Sequence, residues 1–248
     1  MNLNFGRLLA DVWALLRREG DLILRVAGPL IFLPAFAVQL LCDPLPSIPP
    51  APRDEASIAR WVNAVTLWGQ SNAGWYLLAD AIGILGVATL AVLLTTPGRP
   101  NVGEALGIAG RRYGRFLLAA LLVAIPVGAG MWLFLLPGLY IQARLIAVQP
   151  VLAAEQPTAA RASLVRSFRV TRGAGWAILG AIVTLFLLQY LVLAPLAPAD
   201  AWLRSPDHEN PFVLALVDAA LAAAATAYHV GLALLGVVVW RRLARQGI

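Results

Sequence analysis

Residues 213–240 read VLALVDAALAAAATAYHVGLALLGVVVW, with only one acidic residue, Asp218, and one histidine, His229, before Arg241-Arg242 ends the run. A bilayer crossing takes about 20 mostly apolar residues, so this stretch predicts a membrane-spanning helix. Working outward, the same criterion finds five more spans, at 22–42, 74–96, 115–136, 139–155 and 175–197. Residues 115–155 must cross twice and turn, and two turn signals compete there, Gly128-Ala129-Gly130 and Pro137-Gly138. The second is favoured slightly, because Arg115 to Leu136 is long enough for one span; the first stays open.

Composition agrees. Of 248 residues, 60% are hydrophobic and 13% charged, against about 25% charged in an ordinary soluble domain. That excludes a soluble globular enzyme as the starting point, and the apolar content excludes disorder. The expected fold is an all-α, polytopic membrane helical bundle, one domain over residues 1–248. Charges at Arg17-Arg18-Glu19 interrupt the place where a signal peptide would have its apolar region, so the N-terminus is expected to be retained. Cys42, the sole cysteine, has no partner in the chain for a disulfide.

Arginine supplies all 19 basic residues. Arg7, Arg17, Arg18 and Arg25 precede or open the first span. Arg99, Arg111, Arg112 and Arg115 lie between the second and third, and Arg161, Arg166, Arg169 and Arg172 between the fourth and fifth. Arg241, Arg242 and Arg245 follow the sixth. The alternate loops hold only Arg53, Arg60 and Arg204, and they are acidic, with Asp43, Asp54, Glu55, Asp200, Asp207 and Glu209. Arginine-rich flanks stay cytoplasmic, which predicts both termini inside the cytoplasmic (inner) membrane of a bacterial cell. Tryptophans prefer the membrane boundary. Trp61, Trp68, Trp75, Trp132 and Trp202 fall near outer ends, and Trp13, Trp176 and Trp240 near inner ends.

Three arginine-bearing stretches resemble one another. Asn4, Asn101 and Thr158 each stand as a helix cap, with Gly6, Gly103 or Ala160 two residues later. Glu104 is in capping-box register with Asn101. Each stretch has an apolar face, ends in arginines and enters a pair of spans. This predicts three repeats of a cytoplasmic amphipathic surface helix followed by a helical hairpin. Such helices can rest among headgroups, which makes Arg17, Arg18, Arg111, Arg112, Arg161, Arg169 and Arg172 candidate anionic-lipid contacts; simple capping of the bundle is an equal reading. On the other side, Pro44–Pro52 reads as an extended connector and Asp54–Gln70 as a further surface helix.

Asp80, Arg144, Asp218 and His229 are the intramembrane polar residues, costly in hydrocarbon and usually paired or facing water. Counting 1.5 Å per residue brings Asp80 and Arg144 within reach of one another, so they are expected to pair. Asp218 is expected near the outer headgroups. Asp218 and His229 share a helix face, and an interfacial carboxylate with a carbonyl-bonded histidine is preferred there to a proton path. The run Ala219–Ala227 reads as a helix-packing face.

Catalytic chemistry is scarce. His208 and His229 cannot build a His-rich metal site, and Asp207-His208-Glu209 reads as a solvated acidic loop. No nucleophile elbow G-x-S-x-G occurs, and without lysine no phosphate loop is possible. Arginines that follow topology make nucleic acid a poor partner.

Residues 136–180, LPGLYIQARLIAVQPVLAAEQPTAARASLVRSFRVTRGAGWAILG, carry Pro137-Gly138, Tyr140, Arg144, Pro150, Glu155, Ser167, Thr171-Arg172-Gly173 and Trp176. This stretch is similar to the membrane-domain family named after glycerophosphoryl diester phosphodiesterase, and to related six-helix bacterial membrane proteins. In some members the membrane domain precedes a soluble phosphodiesterase. The resemblance implies no activity for this chain, which ends after the sixth span. It implies a turn or helix break at Pro137-Gly138, Glu155 at the inner boundary, and the Ser167–Gly173 segment ending a surface helix before Trp176.

The expectation is a non-catalytic membrane module, without cofactor or metal, that organises anionic lipid or a membrane protein partner. The alternative is a small-solute or ion transporter or channel using Asp80, Arg144, Asp218 and His229. An intramembrane lipid enzyme would need two acid–base groups at one depth, and Asp80 with Asp218 is the most the sequence offers.

Overall fold

Asn4 opens the first helix as expected: its side-chain oxygen accepts from the Gly6 N–H at 3.0 Å. A computed structural model of the chain describes residues 4–155, 158–205, 207–208 and 210–243; Arg245 and Glu209 lie outside them. Helix α1 (Phe5–Ala27) does not end at Gly20, so the expected surface helix and first span are one hydrogen-bonded rod. It passes through a π turn at Gly28–Phe32 into α2 (Leu33–Leu41). Pro29 has no N–H to give and its ring crowds the preceding turn. The turn widens there, and Leu33 donates back to the Gly28 carbonyl.

The further surface helix expected at Asp54–Gln70 is likewise no separate element. Asp54 caps α3 (Glu55–Thr95), accepting from the Ser57 N–H at 2.9 Å, and hydrogen bonds from Ser57 hold its carboxyl below the ordinary range. From there α3 runs unbroken for 41 residues, about 62 Å and twice the hydrocarbon thickness. The Pro-rich connector forms no helix or strand and is tied to this overhang. Trp61 Nε1 donates to the Pro46 carbonyl at 3.0 Å and Trp68 Nε1 to Asp43 at 2.7 Å.

The chain then forms α4 (Val102–Arg111), α5 (Tyr113–Leu133), α6 (Leu135–Leu145), α7 (Val148–Ala154), α8 (Ala160–Val170), α9 (Gly175–Leu203) and α10 (Pro211–Leu243). The Asn101–Glu104 capping box starts α4 as expected. Thr158 does not cap α8: Ala159 holds that position without a side-chain bond, and Thr158 Oγ1 donates to the Glu155 carbonyl. The α5–α6 turn lies at neither expected signal. Phe134 alone makes it, in extended conformation, and Pro137 sits in the first turn of α6, where proline is tolerated. The glycines serve closeness instead. A Cβ on Gly130 would come 2.8 Å from the Gly138 Cα, and one on Gly138 would come 2.6 Å from the Met131 N.

The two short arginine-bearing helices lie along other helices rather than free on a surface. Tyr113, just past α4, donates its hydroxyl to the Ala81 carbonyl at 2.7 Å. That carbonyl is about 21 Å along α3 from Thr95, so α4 climbs beside α3, burying Ala105 and Ala109. Helix α8 runs beside α7 and buries Ala160, Ser163 and Ser167. The core follows from this doubling. In α3 burial is continuous over Ala88–Leu94, and in α10 over Leu234–Val239, so both helices are surrounded on all sides there. The opposite halves are bare and apolar, with Trp132 94% exposed and Leu133, Phe134, Leu191 and Phe212 similarly open.

Six helical segments are long and apolar enough to cross a membrane, making this by length and composition a multi-pass, all-helical protein; no strand occurs among the described residues. The arginine-bearing stretches meet at one end. Asp11 of α1 pairs with Arg242 of α10, Arg241 donates to the Leu94 carbonyl, and Trp240 Nε1 donates to Glu155 at 3.0 Å.

Candidate functional site

Helix α6 breaks at Ile146–Ala147, which strands its last carbonyls. The break is answered from α8. Ser167 Oγ and Thr171 Oγ1 both donate to the Arg144 carbonyl, at 2.9 and 3.1 Å. The Arg144 guanidinium in turn donates to the Phe168 and Thr171 carbonyls, at 2.6 and 3.2 Å, and lies over the Phe168 ring. These carbonyls stand at the C-terminal end of α8, the Thr171 one also accepting from the Ala174 N–H at 3.1 Å, and a cation there complements the helix dipole. One residue thus satisfies the ends of two helices, and it corrects the expected pairing of Arg144 with Asp80.

The remaining motif residues serve the same joint. Gly175 passes so near Tyr140 and Arg144 that a Cβ would come 3.0 Å from the tyrosine hydroxyl. Tyr140 and Trp176 touch, ring centroids 5.3 Å apart. Glu155 accepts from Arg166 and from Trp240, joining α7, α8 and α10. Pro150 and the Ile146 carbonyl face Gly236 so closely that any side chain there would collide with backbone. Gly173 takes φ +83°, the left-handed turn that releases the chain into α9, with Arg172 exposed beside it.

Of the other intramembrane polar residues, Asp218 is enclosed by the protein. It is 1% exposed and accepts from Arg204 at 3.0 Å, while Arg204 Nε pairs with Asp200 at 2.9 Å. Two carboxylates on α9 and α10 share one guanidinium, a partner the sequence reading left among the outer-loop arginines. His229 is exposed, with Nδ1 2.8 Å from the Ala225 carbonyl, as the plainer reading expected. Asp80 is also exposed and has no ion pair among the described residues. No group of three or more His, Cys, Asp and Glu able to hold a metal occurs among the described residues.

The arginine-bearing end carries grooves. One of about 590 Å³ runs between α1, the α3–α4 loop and α10, lined by Arg18, Arg99 and Arg241. A second, of about 560 Å³, lies across the same loop and is lined by Glu104 and Arg111. A third, of about 240 Å³, shares Arg18 and Arg241 and adds Arg242. Arg17 is exposed beside them, Arg112 is half-buried where α4 meets α5, and Arg161, Arg169 and Arg172 stand exposed on or just after α8. The candidate contacts therefore fall into two sets, a grooved one and an open one. The sequence reading passed over Arg99, Arg241 and Arg242 as members of the first; their common signal was position at span ends.

No family model matches this chain, and no curated protein and no solved structure is similar to it.

Proposed function

We propose that the protein is a non-catalytic membrane module whose arginine-bearing end faces the cytoplasm at the inner membrane of a bacterial cell and gathers anionic lipid headgroups, alone or for a membrane protein partner. The observation that supports this most is that three grooves at one end are each lined by arginine. An arginine near an anionic leaflet contributes about 1 kcal/mol, so several in one place give a lipid preference without any reaction. The three-repeat reading and the likeness to the glycerophosphoryl diester phosphodiesterase membrane-domain family belong to this proposal. In it, the motif of residues 136–180 keeps the joint between α6, α8 and α9 rather than a reaction. The test is lipid binding by the purified chain. Anionic vesicles are expected to bind better than neutral ones, and the triple replacement of Arg161, Arg169 and Arg172 by Gln is expected to weaken that preference. Equal binding throughout would remove the proposal.

A second reading, transport of an ion or small solute, is favoured by Asp80 and His229 alone, both exposed polar groups on long apolar helices. Arg144 and Asp218, its other two expected members, are engaged in holding helices together. It predicts a flux in liposomes that Asp80→Asn alters.

A further inference from the structure

The groove between α1 and the α3–α4 loop differs from its neighbours in how its cations are held. Thr96–Arg99 is a turn with Pro97 second and Gly98 third at φ +88°, the type II pattern. Arg99 follows at φ +49°, a conformation unfavourable for a non-glycine residue, and it precedes Pro100, which disfavours helical conformations at the residue before it. An ordinary surface arginine has no reason to be held so. Strain of this kind persists where surrounding structure fixes it, and it clusters at ligand clamps. Here the result is that Arg99 lines the same groove as Arg18 and Arg241.

The groove is lined by three guanidiniums and one carboxylate, Glu19, which engages Arg18 through Nε at 2.9 Å. An excess of guanidinium favours an anion, and a phosphomonoester, which carries about −1.5 to −2 near neutral pH, gains more from it than a singly charged phosphodiester. Leu22, Leu93 and Trp240 supply apolar wall. The volume, about 590 Å³, lies in the roughly 300–1,000 Å³ range of small-molecule sites. A groove lined by both cations and apolar side chains suits an amphiphile better than a free anion.

We infer that this groove is a binding site for the headgroup of a lipid ending in a phosphomonoester, with Arg18 and Arg99 as the principal contacts. The inference rests on the lipid-gathering reading above and narrows it to one site and one headgroup class. The full chain in phosphatidylcholine nanodiscs should bind phosphatidic acid about fivefold or more tighter than phosphatidylglycerol, with about fivefold expected per arginine. Arg99→Gly suits the left-handed conformation and removes the side chain with its charge without straining the turn, so it should abolish that discrimination in a folded protein. Arg99→Lys should keep part of it, and Arg18→Gln should lower it. The triple Gln variant at Arg161, Arg169 and Arg172 should instead weaken both lipids alike. Equal affinity for the two lipids in the wild type, or discrimination surviving in Arg99→Gly, would overturn the groove while leaving a general anionic preference intact. No preference for either lipid over phosphatidylcholine would overturn the wider reading as well. Displacement of phosphatidic acid by glycerol phosphate at equal concentration would overturn the lipid assignment in favour of a soluble phosphomonoester.

Discussion

Arg144 is a residue whose meaning depends on a helix it does not belong to. A depth count along straight rods brings it toward Asp80, and that count is sound as far as it goes. It omits α8, which returns beside α7 and presents the Phe168 and Thr171 carbonyls at 2.6 and 3.2 Å. Hydrogen bonds to a charged donor contribute about 1.5–3 kcal/mol each, so the nearer partner wins. Arg144→Gln should therefore lower thermal stability in detergent by an amount corresponding to about 2–4 kcal/mol. Thr171→Val, which keeps the shape and loses the hydroxyl, should cost about 1–2 kcal/mol. A double-mutant cycle should give less than the sum, because both changes open one joint. Additive losses would mean the two residues act separately. The sequence did expose the motif residues as a set. What it could not expose is that Ser167, Thr171 and Gly175 converge on Arg144, because that needs the path of α8.

At the scale of elements, the six spans were legible and their punctuation was not. Polar Gln70, Ser71 and Asn72 mark where α3 changes company, and the sequence reading stopped a surface helix there. Hydrogen bonding has no reason to stop with the change of solvent, and Asn72 simply turns its amide to the Trp68 carbonyl at 3.0 Å. The same difficulty misplaced the α5–α6 turn. Pro137-Gly138 and Gly128-Ala129-Gly130 carry turn chemistry, yet Gly130 and Gly138 are small because two antiparallel helices nearly touch there. Gly138→Ala should force the hairpin apart and cost about 1–3 kcal/mol. Gly128→Ala, with open space around its Cβ, should be neutral or slightly stabilising. Thermal stability of the two variants in parallel distinguishes them; similar losses would contradict the close approach.

The whole molecule is packed unequally. Its arginine-bearing end holds the continuous burial of α3 and α10, while the far end of α9 and α10 depends on few polar ties. Composition made the apolar surface legible, and the arginine count made the two ends legible. Neither could say which end would hold the core, since that is decided by α4 and α8 doubling back. Arg204 is the main tie at the thin end. Removing one partner of a buried pair costs about 3–5 kcal/mol, reduced here because the Arg204 side chain is 23% exposed, so Arg204→Ala should cost about 2–3 kcal/mol. The loss should be confined to faster proteolysis near residues 198–215. Uniform loosening, including the α8 joint, would contradict a molecule held mainly from one end.

The contact between Asp11 and Arg242 joins positions almost at opposite limits of the chain. During synthesis α1 emerges long before α10, so the face on which it meets α10 stays uncovered by that helix until α10 has been delivered. A ribosome stalled before α10 should accordingly leave α1 open to proteolysis on that face, and delivery of α10 should close it.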